Sequence, residues 1–344
     1  MLTQASYALI CVNTTSNYKM FGSVLRAKVL ERPFVMAFKD AGFKSYKIYY
    51  AKANNDAQLV SQIQTMTTNK CSIILGIFTS QDCLVSGPVL AHNHTIGVSS
   101  SCSDNKIQRF YPYIHTSVPH LSTFSKVVAN YVNKHKNGKI YAFYQPADPY
   151  SQSGYQAFKQ YAKRHFVSIP VGLYGNINLP QITAKPGRQN FFIFFTYPLP
   201  SAQILVQLET HGLINKSTNI IGASSWIFDE SVFRPIVSIF TKAKRVLTPN
   251  LIRRSNITSS KFAHKFMQRY KRPPDVVEVL TYDTTRLSVN CYRRANAAQN
   301  FNAKLFLSCL ANNKYQGISG RTIFPNGSAF AQRKVYLVNF KQWF

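Results

Sequence analysis

Apolar residues along this chain come in short runs separated by amphipathic or polar stretches. Tyr7–Val12 is the first run, and Lys47–Tyr50 is a second in partial alternation. Ser72–Phe78 is rich in Ile and lacks period-2 polarity, which suits a strand buried on both faces of a parallel sheet. Between the runs, Phe21–Ala41 has helical apolar spacing, interrupted by Pro33 and stopped by Gly42. Ala57–Thr67 places Leu59, Ile63 and Met66 on one helical face behind a cap at Asn54-Asn55-Asp56. A helix over Leu84–Ala91, with Gly87-Pro88 as a local blemish, leads to a short strand at Thr95–Ser99. This alternation of strand and helix predicts a parallel, doubly wound α/β sheet with right-handed crossovers.

The rhythm then resumes. Leu121–Val132 reads as an amphipathic helix, and Lys139–Tyr144, Asn190–Tyr197, Asn219–Gly222 and Arg245–Pro249 read as strands. Helices are expected over Gly154–Lys163, Lys261–Tyr270, Val276–Arg294 and Ala303–Asn312, with a last strand at Val335–Phe340. A chain of 344 residues is too long for one ordinary core and fits two lobes.

Two successive strand ends carry hydroxyl-rich loops: Thr79-Ser80-Gln81-Asp82, and Ser99 through Asp104. In an open α/β sheet, ligands bind beyond the carboxyl ends of the strands. A hydroxyl beside the free N–H groups of a helix start can hold a carboxylate there. That makes Ser80, Ser101 and Ser103 candidate binding residues, although each loop alone also reads as an ordinary cap or turn.

The order Gly76–Ser80, Ile96–Ser103, Phe110–Ser117 resembles the first lobe of the type-I periplasmic binding proteins, the branched-chain amino-acid receptor group. The likeness continues at Asp148–Gly154, where Tyr150 falls on the family's ligand-contacting aromatic and Ser151 replaces a glycine. Tyr197, ahead of Ala202–Leu208 and Gly212, stands at or next to another ligand position. Tyr18 is the nearest counterpart of an aromatic in the first loop. Tyr282-Asp283 matches a bracing pair, and Tyr315–Gly327 resembles the family's C-terminal ribbon. Many amino-acid binders carry an acid near Ser224-Ser225, whereas the first carboxylates here are Asp229 and Glu230. The departure implies that Asp229 reaches back or that the solute lacks an ammonium group.

The resemblance implies two Rossmann-like lobes joined by a three-strand hinge: 1–118 plus 250–325, and 119–249 plus 326–344. The hinge strands would cross near Ser117–His120, Thr248–Asn250 and Phe324–Gly327. It further implies a monomeric periplasmic receptor closing on a small polar solute (amino acid, amide or carboxylate) and passing it to the permease of an ABC-type importer. Ser80, Ser101, Ser103, Tyr150, Tyr197, Ser224 and Tyr18 would form the site, with no enzymatic activity, cofactor or metal. The alternative is a ligand-free domain of the same fold that contacts a protein or a polyanionic wall polymer.

Charge supports that alternative, since the formal net charge is +29. Its basic clusters, at Lys134–Lys139, Lys163–His165, Lys242–Arg245, Arg253-Arg254, Arg269–Arg272 and Arg293-Arg294, are scattered in sequence and read as solvated faces. No zinc-finger, RNA-binding or helix-turn-helix pattern accompanies them, so nucleic acid is not an expected partner. No apolar run reaches the ~18 residues of a membrane helix. Residues 1–12 lack a basic segment and a cleavage site, so the chain is either trimmed to its mature form or cytoplasmic, and its start almost at the first strand favours trimming. Of the six cysteines, Cys83 and Cys102 follow neighbouring loops and form the expected pair. Cys11 is expected to pack as a small hydrophobe. His92-Asn93-His94 reads as a surface loop with no third metal ligand in view. With four glutamates and no nucleophile elbow or phosphate loop, no catalytic constellation stands out.

Overall fold

The chain alternates strand and helix through β1 (Leu9–Asn13), α1 (Ala27–Asp40), β2 (Tyr46–Tyr49), α2 (Asp56–Thr68), β3 (Cys71–Leu75), α3 (Ser80–His92), β4 (Ile96–Ser99) and β5 (Ile114–Thr116). A computed structural model describes residues 9–14, 27–50, 55–135, 137–172, 175–183, 188–228, 230–297, 300–313 and 315–344. Tyr18, Asp229 and the expected start of the first strand lie outside them. Strands β1 to β5 form a parallel sheet in the order β2-β1-β3-β4-β5.

The middle of the chain builds a second sheet from α4 (Leu121–Asn133), β6 (Lys139–Tyr144), α5 (Pro149–Tyr161), β7 (Val167–Pro170), β8 (Asn190–Phe194), α6 (Pro198–Thr210), β9 (Thr218–Ile221), α7 (Val237–Lys242) and β10 (Arg245–Asn250). Then come α8 (Arg254–Thr258), α9 (Lys261–Tyr270), α10 (Val276–Ala295), α11 (Ala303–Asn312) and the hairpin β11 (Tyr315–Gly317) and β12 (Gly320–Thr322). Finally β13 (Tyr336–Asn339) pairs antiparallel with β10, giving the order β13-β10-β9-β8-β6-β7. Among the described residues, the two compact units divide between His120 and Leu121, between Ser255 and Asn256, and between Arg333 and Lys334. Unit 1 holds the first sheet and unit 2 the second.

The inner strands of each sheet, such as β4, β8 and β9, are buried on both faces, as their continuous apolar runs require, and the edge strands β2, β7 and β13 are partly exposed. In unit 1, Ile63, Met66, Ile74, Leu90 and Ile114 meet in one cluster; in unit 2, Val128, Ile140, Phe158, Phe191 and Ile193 do the same. Each such side chain contributes about 1.5–3 kcal/mol by leaving water. Among the described residues, no helix is long and apolar enough to cross a membrane.

Three expectations need correction. Pro33 does not interrupt its helix: α1 runs through it, while α3 runs through Gly87-Pro88 as expected. A Cβ on Gly87 would meet the Phe110 ring at 2.5 Å, so this glycine is the contact surface for that ring. The expected loop at Asp148–Gly154 is mostly the first turns of α5. Cys11 is not a free packing residue; it is bonded to Cys71 on the adjacent strand, with Cα atoms 5.6 Å apart. Cys83–Cys102 is present as expected, and Cys291–Cys309 joins α10 to α11.

Candidate functional site

The unit 1 loops are stitched together by their own hydroxyls. After β3 the chain turns at Gly76, whose φ is +85°. A Cβ at that position would lie 1.9 Å from the Asn13 carbonyl oxygen, so the turn needs glycine. Thr79 then caps α3: its hydroxyl accepts the Asp82 N–H at 2.9 Å, and the Asp82 carboxylate accepts the Thr79 N–H at 3.1 Å. Ser80 is the first residue of the helix and is buried.

Beyond β4, the Ser99 hydroxyl donates to the Ile77 carbonyl at 2.6 Å and accepts the N–H groups of Ser101 and Cys102. The Ser101 hydroxyl donates to the Phe78 carbonyl at 2.6 Å. Ser80 Oγ accepts the N–H groups of Ser103 and Asp104 at 3.2 and 3.1 Å. Cys83–Cys102 adds a covalent tie between the same loops. Ser80, Ser101 and Ser103 are thereby gathered at the carboxyl ends of adjacent parallel strands.

Their remaining hydrogen-bonding capacity differs. Backbone donors fill both lone pairs of Ser80, so its hydroxyl can serve an incoming group only as a donor. Ser101 has spent its proton and can only accept. Asp104, which sequence reasoning passed over, belongs to the same loop. Its Oδ1 accepts the Lys106 N–H at 2.7 Å, and burial raises its carboxyl pKa, opposed by that hydrogen bond and by the charges of Lys106 and Arg109. Its position at the end of the serine run was the available signal.

In unit 2, Tyr150, Tyr197 and Ser224 come together at the carboxyl ends of β6, β8 and β9. The Asp148 side chain accepts the Ser151 N–H at 2.7 Å and Pro149 occupies the first helical turn, so α5 begins early enough to carry Tyr150 inward. The Tyr150 and Tyr197 rings stack at 4.8 Å with 21° between their planes. The Tyr150 hydroxyl bonds Ser224 Oγ at 2.9 Å and accepts the Ser225 N–H at 3.1 Å. Burial raises the Tyr150 pKa, and the bonds to Ser224 and Ser225 oppose it. Both tyrosines are buried, at 5% and 4% exposure. Beside them, Leu121, Phe124, Val128, Ile193 and Phe195 line an apolar slot of about 20 Å³, room for a water or a methyl group.

Asp283, in α10, accepts the Ile318 N–H at 3.1 Å and the Ser319 N–H at 2.7 Å, fastening the β11–β12 hairpin. Tyr282 donates to Asp40 at 2.9 Å and ties α10 to α1. His94 bonds the Tyr113 hydroxyl through Nδ1 at 3.0 Å. Among the described residues, no three His, Cys, Asp or Glu side chains gather as a metal site.

Several solved structures share this fold. LivJ of Streptococcus pneumoniae, a branched-chain amino acid transporter substrate-binding protein solved with isoleucine, is 15% identical, with a TM-score of 0.76 over 97% of this chain and 96% of that one. A solute-binding protein of an ABC transporter from Rhodopseudomonas palustris, solved with 3,4-dihydroxybenzoic acid, is 13% identical, with a TM-score of 0.77 over 96% and 92%. The leucine-binding protein LivK of Thermotoga maritima is also 13% identical, with a TM-score of 0.77 over 97% and 96%. A search of curated proteins returns no match to the sequence. Residues 34–342 match the family model described as periplasmic binding protein, and the chain therefore belongs to that family of non-enzymatic solute-binding proteins.

Proposed function

We infer that this chain is the solute-binding receptor of an ABC-type importer and takes a small solute with a carboxylate and an apolar body. The observation that carries the reading is the Ser80 hydroxyl. With both lone pairs filled by backbone N–H groups, it has one proton to give, and an anionic oxygen is the acceptor it suits. Ser103, whose N–H bonds Ser80 Oγ, is the neighbouring hydroxyl residue, and within unit 2 the apolar slot next to Tyr150 suits a methyl group. Solutes held by proteins of like fold (isoleucine, leucine and hydroxybenzoates) share that chemistry. Three disulfides fit an oxidising, extracytoplasmic compartment.

The test is a thermal-shift screen of isoleucine, leucine, 4-hydroxybenzoate and 3,4-dihydroxybenzoate. A hundredfold excess over Kd should stabilise the folded chain by about 2.7 kcal/mol. For whichever solute shifts the transition, Ser103→Ala should weaken affinity about tenfold, the value of a hydrogen bond to a charged group, without lowering the ligand-free midpoint. Unchanged affinity would remove Ser103 from the site.

One observation favours a second reading, a domain that contacts a macromolecule instead of a solute. The Tyr150 hydroxyl is already satisfied by Ser224 and Ser225 within unit 2. No shift with any carboxylate, from a cooperatively folded sample, would favour that reading.

A further inference from the structure

Three of the basic clusters that are scattered in sequence, Lys134–Lys139, Lys163–His165 and Lys242–Arg245, converge in unit 2. In this sheet β6, β7, β8, β9 and β10 are parallel, so their amino ends share one edge, opposite Tyr150, Tyr197 and Ser224. Every strand brings a cation there. Lys341 follows antiparallel β13, Lys244 and Arg245 open β10, and Lys216 precedes β9. Arg188 precedes β8, Lys139 starts β6, and Arg164 precedes β7. Adjacent strands lie about 4.8 Å apart, so the row is roughly 25 Å long.

Hydrogen bonds hold the row in place without cancelling its charge. Arg164 donates to the His135 and Gly138 carbonyls, and Lys139 donates to Thr183 Oγ1 at 2.7 Å. Lys216 and Lys341 donate to the Thr241 and Ala243 carbonyls, and Arg245 donates to the Tyr131 hydroxyl. Among the described residues, the carboxylate paired near this edge is Glu209, and its partner is Lys242. Burial and the charge of Lys216 lower the Lys341 pKa, a sign of cations crowded without a counter-charge. Where β6 and β8 begin, the edge opens into a cleft of about 770 Å³. It is lined by Lys139, Arg164 and Arg188, with Asn137, Gly138, Gln189 and Asn190.

We propose that the amino edge of the unit 2 sheet binds a linear, phosphate-bearing polyanion, which runs along the row and seats phosphate groups in this cleft. The cleft is concave, and among the described residues that line it none is aromatic or aliphatic beyond Gly138. A bilayer would call for exposed apolar anchors, and single-stranded nucleic acid for stacking platforms.

The full chain should be titrated with medium-chain inorganic polyphosphate at several salt concentrations. Arg188→Glu with Lys216→Glu reverses two exposed charges in the row; Lys304→Glu with Arg321→Glu reverses two exposed charges in unit 1 and gives the same net charge. The row variant is expected to bind at least about tenfold more weakly and with a shallower salt dependence, and the control within about twofold of the parent. Equal weakening in both would overturn the proposal, because total charge would then explain the binding. Tighter binding of oligo-dT, or of phosphatidylglycerol vesicles, than of polyphosphate would overturn it as well.

Discussion

His115 sits in β5 with its ring edge-on to Tyr111 and Phe324, at 5.5 and 5.8 Å. Its Nε2 donates to the Pro112 carbonyl at 3.1 Å, which leaves Nδ1 as the buried site for a second proton. Burial lowers its pKa from 6.5 to about 4, and the bond to Pro112 only partly opposes this. The unfolded chain therefore takes up the proton first as the pH falls. Stability from this residue is complete above pH 6.5 and is lost on the way down to about pH 4. The loss should approach about 3 kcal/mol. Urea unfolding across that window should show it in the parent, and His115→Gln, which keeps a donor for Pro112, should flatten the curve. An equally steep curve in the variant would assign the pH dependence to other groups. At this scale the serines of unit 1 were legible because their position at strand ends follows from chain order alone. The inward turn of Tyr150 was not, because it depends on which residue starts the helix.

That start is a matter for the element. Asp148-Pro149 is a cap followed by a proline in the first turn, yet the stretch resembled a loop, and so α5 was expected to begin at Gly154. Asp148→Ala should cost about 1 kcal/mol, the usual value of a lost cap. The same change should loosen the Tyr150–Tyr197 stack, readable as faster hydrogen exchange at Ser151 and Gln152. Unchanged exchange would mean that packing alone sets the start of α5. Elsewhere local pattern sufficed: α9 and α11 begin and end where apolar spacing, caps and Pro273 place them. Pro33 misled because a helix packed into a core tolerates a missing N–H that an isolated helix would not. The Cys11–Cys71 bond was invisible for a different reason. Its partners are 60 residues apart and meet only when β1 and β3 pair.

Across the whole molecule, covalent reinforcement is uneven. All three disulfides lie in unit 1, and unit 2 contains no cysteine. Each bond contributes typically about 2–4 kcal/mol. Reduction should therefore speed hydrogen exchange in β1, β3, α3 and α10 and leave β6 and β8 nearly as protected as before. Uniform loss of protection would show that the units unfold together. The connectivity has another consequence, for how the chain is made. Six cysteines can pair in fifteen ways. Here the first joins the second, the third the fourth and the fifth the sixth. A nascent chain emerging amino end first into an oxidising space meets its cysteines in that order. If each bond closes as its second thiol arrives, every native bridge forms without a wrong partner having been available, and none links the first stretch of unit 1 to the stretch that returns to it after unit 2.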